Sequence, residues 1–93
     1  MSVPTIIRRV RLGLTHPRTG NVRHYRNDQL LTRPFSLMIV EFAQGEYNLI
    51  HLDKNGGEMT DTFHDSVEDA LRQAEFEFLV KPEDWATVEE PYR

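Results

Sequence analysis

The sequence predicts an α+β domain: an antiparallel sheet of four to five strands with one main helix, residues 66–80, packed on one face. Residues 35–64 contain three strand-like segments separated by turn signals, a pattern typical of an antiparallel meander. Residues 66–80 repeat apolar side chains at helical spacing. The chain has 93 residues, of which 39% are hydrophobic, and this size favours a single domain, residues 1–93, over two.

The first third of the chain is predicted to add two strands to the sheet. If residues 5–14 (TIIRRVRLGL) are extended, their apolar side chains lie mainly on one face: Ile6, Val10, Leu12 and Leu14. The alternation is imperfect, so a short helix stays an alternative. Residues 16–20 (HPRTG) predict a turn, because proline fixes φ and glycine allows positive φ. Residues 21–26 then predict a returning strand, and residues 27–34 an irregular connection.

The meander is predicted from three segments, FSLMIVEFA (35–43), EYNLIHLD (46–53) and EMTDTFH (58–64). The stretch DKNGGEMTD between the last two contains acids and glycines, as calcium loops do. An EF-hand requires glycine at position 6 and glutamate at position 12, and here those positions are Glu58 and His64. Asn55-Gly56 instead predicts a hairpin connection, either a type I′ turn or a type I turn with Gly56 in the left-handed region.

Ser66 predicts the start of the helix, as an N-cap paired with Asp69 in a variant of the capping box. The helix is expected to face the sheet with a single apolar stripe: Val67, Ala70, Leu71, Ala74 and Phe78. Pro82 disfavours helical backbone at the preceding residue and so ends the element. The remaining tail, residues 82–93, is predicted to form a strap across the surface.

The charges divide the chain in two. Residues 1–40 carry seven arginines and one acid, whereas residues 41–93 carry four basic and fourteen acidic side chains. One interpretation is that the two parts lie together and neutralise each other. The alternative is a nucleic-acid contact, since arginine forks fit phosphate oxygens and aromatic rings stack on bases. The residues predicted for that contact are Arg9, Arg11, Arg18, Arg23, Arg26 and Tyr25.

Catalytic motifs are absent from the sequence. The chain has no cysteine, which excludes disulfides, thiolate metal sites and thiol nucleophiles. It has no phosphate-binding loop, dinucleotide motif or nucleophile elbow. His51 with Asp53, and His64 with Asp61, could be ligands or bases of a small hydrolase, but no paired-ligand motif supports them. The sequence therefore predicts no enzyme, no cofactor and no metal site.

Phe76 is predicted to point away from the apolar stripe of the helix, on the opposite side from Val67. An outward aromatic side chain needs either a cover or a partner. The tail with Trp85 could cover it. The other hypothesis is a protein contact, whose residues would be Phe76, Leu79, Trp85 and Arg72. The leading functional prediction is a non-enzymatic protein-interaction or regulatory module, with another protein or a second copy of the chain as partner.

The second half of the chain resembles a group of small uncharacterised bacterial proteins. The resemblance lies in the hairpin YNLIHLDKNGGEMTDTFHDS, the helix VEDALRQAEFEF and the KPEDW that follows. It implies an antiparallel sheet with one packed helix and gives no catalytic residue. The chain has no signal peptide or apolar run long enough to span a bilayer, so a cytoplasmic location without membrane contact is expected.

Overall fold

The computed structural model describes residues 3–92. In chain order, the elements are β1 (Thr5–Arg11), β2 (Tyr25–Arg26), β3 (Gln29–Leu30), β4 (Ser36–Ala43), β5 (Glu46–Leu52), β6 (Glu58–His64), α1 (Val67–Phe78), a 3₁₀ turn (Pro82–Asp84) and β7 (Ala86–Pro91). Five strands form one antiparallel sheet in the order β6-β5-β4-β1-β7, and β2 and β3 form a separate hairpin. The predicted α+β class, the antiparallel sheet of four to five strands and the one main helix are confirmed.

β4 lies at the centre of the sheet, and its alternate residues enter two hydrophobic clusters. Leu37 and Ile39 belong to the cluster on the helix side, and Met38 and Val40 to the cluster on the other face. All four side chains are buried. Side chains of a strand point alternately to opposite faces, so a strand buried on both faces reads as the continuous apolar run seen here.

A β-bulge in β1 changes the face to which its side chains point. In the pairing with β4, Ile6 lies opposite Val40 and Arg8 lies opposite Ile39, so β1 has one residue more than its partner over this interval. As a result Ile6 enters the cluster opposite the helix, whereas Val10 enters the cluster under the helix. The prediction that the apolar side chains of residues 5–14 lie on one face is therefore wrong. Alternation assigns each side chain to a face from its position along the strand, and the extra residue in the bulge reverses that assignment.

The tail is the fifth strand and not a surface strap. Ala86–Pro91 pairs antiparallel with β1 and forms one edge of the sheet. Trp85, just before it, is buried in the cluster under the helix. After the strand, the Tyr92 hydroxyl donates a hydrogen bond to the carboxylate of Glu58 at the start of β6. This bond links the end of one outer strand of the sheet to the start of the other.

The helix begins as predicted and ends earlier. The Ser66 hydroxyl accepts a hydrogen bond from the Asp69 backbone N–H at 3.1 Å, which confirms the N-cap. The predicted reciprocal half of the capping box is not seen, because the Asp69 carboxylate accepts from His64 Nδ1 at 2.6 Å. The helix ends at Phe78, and Leu79 follows in the left-handed region at φ 60°.

Asp53 organises the loop between β5 and β6. Its Oδ1 accepts hydrogen bonds from the backbone N–H groups of Asn55 (2.9 Å) and Gly57 (2.8 Å). Gly56 has φ +82° whereas Asn55 does not have the positive φ that a type I′ turn requires, so the loop corresponds to the second of the two predicted turns. The Asp53 carboxylate thus accepts hydrogen bonds from backbone N–H groups of its own loop.

The β2–β3 hairpin was not predicted from the sequence. Asn27 and Asp28 connect two-residue strands, and both have positive φ, at 52° and 65°. This is the pattern of a type I′ turn, in which Asn and Asp are favoured. The predicted strand over residues 21–26 is reduced to Tyr25–Arg26, and the predicted irregular connection contains the rest of the hairpin.

Candidate functional site

The long connection between β1 and β4 folds back against the end of α1. The Thr19 hydroxyl donates to the Phe76 carbonyl at 2.7 Å, and its N–H donates to the Glu77 carbonyl at 3.0 Å. The Asn21 amide also donates to the Phe76 carbonyl, at 3.0 Å. Carbonyls at the end of a helix have no partner within the helix, so these bonds both cap α1 and fix the connection.

The same connection is held by a histidine and an arginine. His16 Nδ1 accepts from the Gly13 N–H at 3.0 Å, and its Nε2 lies 2.9 Å from Asp84 Oδ2. Arg33 donates to the carbonyls of Gly13 and His16, both at 2.8 Å. These bonds give an irregular segment a defined path, and this path carries His24 to the helix.

His24, His51 and Glu77 meet where the connection, the sheet and the helix come together. Their ligand atoms all lie within 4.8 Å of one another. Glu77 Oε1 is 3.0 Å from His24 Nε2 and 3.5 Å from His51 Nε2. The rings of the two histidines pack edge to face with centroids 4.7 Å apart. Three different elements therefore aim two imidazole nitrogens at one carboxylate oxygen.

His51 and Glu77 are enclosed, whereas His24 reaches the surface. The side chains of His51 and Glu77 are 3% and 2% exposed, and that of His24 is 17% exposed. At 3.5 Å, His51 Nε2 lies at the outer limit of an N–H···O hydrogen bond to Glu77, and no residue within 3–92 gives it a better partner. A buried polar nitrogen without a partner is uncommon and calls for an explanation.

The carboxylate of Glu77 is kept ionised by its neighbours. Burial raises the pKa of Glu77, but the contacts with His51, Gln73 and His24 lower it by more, so the pKa lies below its ordinary value. Gln73, one turn earlier on α1, donates from Nε2 to Glu77 Oε2 at 2.8 Å. That bond fixes the orientation of the carboxylate and leaves Oε1 directed at the two histidines.

The sequence contains two signals of this cluster, although the cluster itself was not predicted. Glu77 lies seven residues after Ala70 and three after Ala74, so a carboxylate interrupts the apolar stripe of the helix. His51 shares a strand face with Leu49, which is fully buried. An inward histidine and an inward glutamate on adjacent elements indicate a polar site within the core. His24 gave no such signal, because its segment has no regular structure.

The two histidine pairs considered from the sequence do not form. Asp53 bonds to its own loop, and His51 faces Glu77 instead. His64 is buried and bonds to Asp69, with Thr62 Oγ1 2.7 Å from its other ring nitrogen. Asp61 is 2.5 Å from the Asn48 amide.

The predicted anion-binding arginines are dispersed among structural contacts. Arg9 pairs with Glu90 at 3.1 Å, Arg11 stacks on the Phe35 ring at 4.6 Å from its centroid, Arg18 donates to the Leu31 carbonyl at 3.0 Å, and Arg26 donates to the Met59 carbonyl. Only the first of these contacts neutralises an acid, so mutual neutralisation explains little of the charge division. Arg18, Arg23 and Tyr25 do meet, because all three line one cavity together with the histidine cluster. Nucleic-acid binding by this set stays a prediction.

The predicted protein-contact residues separate into two environments. Trp85 is 8% exposed and belongs to the core, so it is wrong as a contact residue. Phe76 and Leu79 are 52% and 46% exposed, and Arg72 is exposed on the same helix. The tail with Trp85 was one predicted cover for Phe76, and Phe76 is about half exposed although Trp85 is buried. A protein contact through Phe76, Leu79 and Arg72 stays a prediction.

Comparison with known proteins gives no relative for this chain: no protein-family model, no curated protein and no solved structure matches it. Within residues 3–92, no helix is long and apolar enough to cross a membrane.

Proposed function

We propose that the protein binds a divalent transition-metal ion through His24 Nε2, His51 Nε2 and the carboxylate of Glu77. The observation that carries this proposal is the buried His51 Nε2, which lies 3.5 Å from a carboxylate oxygen and has no hydrogen-bond partner within residues 3–92. An ion between these atoms would satisfy the nitrogen and the carboxylate together.

The spacing of the ligand atoms supports this proposal. An ion about 2.1 Å from each of its tetrahedral ligands spaces them roughly 3.4 Å apart. The distances from Glu77 Oε1 to the two Nε2 atoms, 3.0 and 3.5 Å, are close to this value. The remaining pair lies within 4.8 Å, so a small inward rotation of the partly exposed His24 ring completes the geometry.

The donor set favours Zn²⁺ or Fe²⁺ over Mg²⁺ and Ca²⁺. Imidazole suits the transition metals, whereas the two alkaline-earth ions prefer oxygen ligands. Two histidines and one carboxylate leave at least one coordination position open, as in zinc and iron centres that bind a further ligand. Gln73 occupies the position of an outer partner that orients the ligating carboxylate.

Zinc titration of the purified chain tests this function, with Mg²⁺ as the comparison ion. We expect one Zn²⁺ per chain and a higher melting temperature, because an ion at a hundred times its Kd stabilises the folded state by about 2.7 kcal/mol. Mg²⁺ should leave the melting temperature unchanged. Affinity should fall on acidification, since protons compete for the three ligands.

Two histidine variants make the test specific. His24→Gln removes the most exposed ligand and should abolish stoichiometric zinc binding while the chain still folds. His64→Gln is the matched control, because His64 is likewise within hydrogen-bond distance of an acid but lies outside the cluster. If the wild type binds no zinc, or if both variants lose it equally, His24, His51 and Glu77 are a structural hydrogen-bond network and the proposal is wrong.

A further inference from the structure

The histidine cluster lies in the wall of a cavity of about 340 Å³. His24, His51 and Glu77 all line this cavity, and His24 is the member that reaches solvent. The volume is within the range of pockets that hold small molecules. An ion on the three ligands would therefore lie in the wall of this cavity, where a small molecule in the cavity could reach it.

Two basic side chains also line this cavity. Arg18 and Arg23 line it, and Glu77 is the one carboxylate among the residues that do. Over the described range 3–92, no acidic side chain lies within ion-pair distance of either arginine. Arg18 is held by one bond to the Leu31 carbonyl, which leaves most of its five N–H donors available.

The charge on Glu77 decides when an anion can enter. Without an ion, the ionised carboxylate repels a negative group that approaches the three ligands, whereas the two arginines attract that group to their own part of the lining. A divalent cation reverses the sign of the charge at that wall, and it also supplies a direct ligand position for an oxygen atom.

We propose that this cavity binds a small oxyanion, a carboxylate or phosphate group, with one oxygen on the metal ion and the others on the guanidinium groups of Arg18 and Arg23. The inference rests on the proposed metal function. A guanidinium group is planar and can donate two parallel hydrogen bonds to two oxygens of a carboxylate or of a phosphate. Both kinds of anion would therefore be recognised in the same way. Coupling between the two sites is reciprocal: the anion should also tighten metal binding.

Calorimetric titration of the zinc-loaded chain tests this inference, with inorganic phosphate and propionate as separate probes and propionamide as the neutral control. Zinc is loaded at one equivalent and the free ion removed. We expect phosphate, propionate or both to bind, and the tighter of the two assigns the class of anion. Metal-free protein should bind neither with measurable heat, and propionamide should not bind.

Arginine variants locate the anion. Arg18→Gln and Arg23→Gln should each weaken anion binding by about tenfold, the typical effect of losing one charge-assisted hydrogen bond. Both variants should retain the zinc affinity of the wild type. Arg72→Gln is the matched control, because Arg72 is exposed on α1 and does not line the cavity. It should leave both affinities unchanged.

The outcomes separate this inference from the metal function. Zinc binding without binding of either anion overturns the inference alone, and absence of zinc binding overturns both. Equal anion binding with and without zinc, or equal binding of propionamide, contradicts the arrangement of metal and arginines. Equal loss in the Arg72 variant shows a general charge effect and also overturns it.

Discussion

His16 Nε2 lies 2.9 Å from Asp84 Oδ2 and so joins the connection after β1 to the turn before β7. His16 Nδ1 accepts a hydrogen bond from a backbone N–H, and the proton of the neutral ring is therefore on Nε2, where it is donated to the carboxylate. The hydrogen bond from His16 lowers the pKa of Asp84, and the Lys81 backbone N–H lowers it further.

This pair predicts a loss of stability in acid. Because the pKa of Asp84 is lower in the folded than in the unfolded state, its stabilising effect is present above the ordinary aspartate pKa and is lost as the pH falls through the folded value. Thermal unfolding of wild type and Asp84→Asn across the pH range measures this. The difference in melting temperature should be largest near neutrality and shrink below the ordinary aspartate pKa. A difference that is constant with pH would contradict the assignment.

Gly56 is required by the loop between β5 and β6. Gly56→Val should lower the free energy of unfolding by about 1–2 kcal/mol, because φ at this position is +82° and a side chain in the left-handed region is strained. Gly56→Asn should cost less, since Asn tolerates this region. Denaturant unfolding compares both with Gly13→Ala, where the added methyl group meets nothing within 4 Å. Equal losses in all three variants would show that φ is not the cause.

Leu79 is a non-glycine residue in the position where helices commonly end with glycine. Leu79→Gly should therefore leave the free energy of unfolding unchanged or raise it by up to about 1 kcal/mol, because relief of strain exceeds the entropy that glycine adds to the unfolded chain. Leu79→Ala keeps the strained φ and removes a half-exposed side chain, and it should not stabilise. Chemical unfolding of the two variants in parallel distinguishes backbone strain from side-chain loss.

Trp85 and Phe76 are both aromatic, but we expect their replacement to change the free energy of unfolding by very different amounts. Trp85→Ala should destabilise the chain by about 3–5 kcal/mol, the usual cost of removing a buried aromatic side chain. Phe76→Ala should cost about 0.5 kcal/mol or less, because half of its side chain is in solvent. Unfolding followed by circular dichroism reports both values.

The Phe76 variant also tests the predicted protein contact. If a second copy is the partner, the molecular mass of the wild type in solution rises with concentration, and Phe76→Ala removes that rise. A mass that does not vary with concentration would exclude self-association and leave only a different protein as partner. Arg72→Gln is a useful second variant, because it changes the charge of the same helix surface without changing its apolar area.

The parts of the fold that were predicted correctly depend on local periodicity. The meander over residues 35–64 follows from short apolar or alternating segments bounded by turn signals, and the N-cap at Ser66 follows from a short-range hydrogen bond. The fifth strand was missed because its apolar content is low: five of the six residues in Ala86–Pro91 are exposed. An edge strand paired on one side does not need the apolar alternation by which strands are recognised.

The candidate site was missed for a different reason. His24, His51 and Glu77 are separated by 27 and 26 residues, and the position of His24 depends on long-range bonds such as that from Thr19 to the end of α1. Arginine contacts with backbone carbonyls, as made by Arg33, leave no spacing pattern in the sequence. The one signal within the helix was the position of Glu77 on its apolar stripe, which indicates a buried carboxylate. The partners of that carboxylate, His24 and His51, are brought to it only by the tertiary structure.

The bulge in β1 lets one strand contribute to both hydrophobic clusters. Ile6 and Val10 are four residues apart, a spacing that gives the same face in a regular strand, yet they occupy opposite faces here. Ile7 is thus the residue at which the alternation of faces changes phase. Side chains before it alternate in the opposite phase to side chains after it. A regular strand with the same residues would place Ile6 under the helix and Ile7 on the opposite face, whereas deleting Ile7 would leave Ile6 opposite Val40 and keep both residues in their clusters. The bulge therefore lets the strand hold one extra residue, Ile7, while Ile6 and Val10 keep their places in the two clusters.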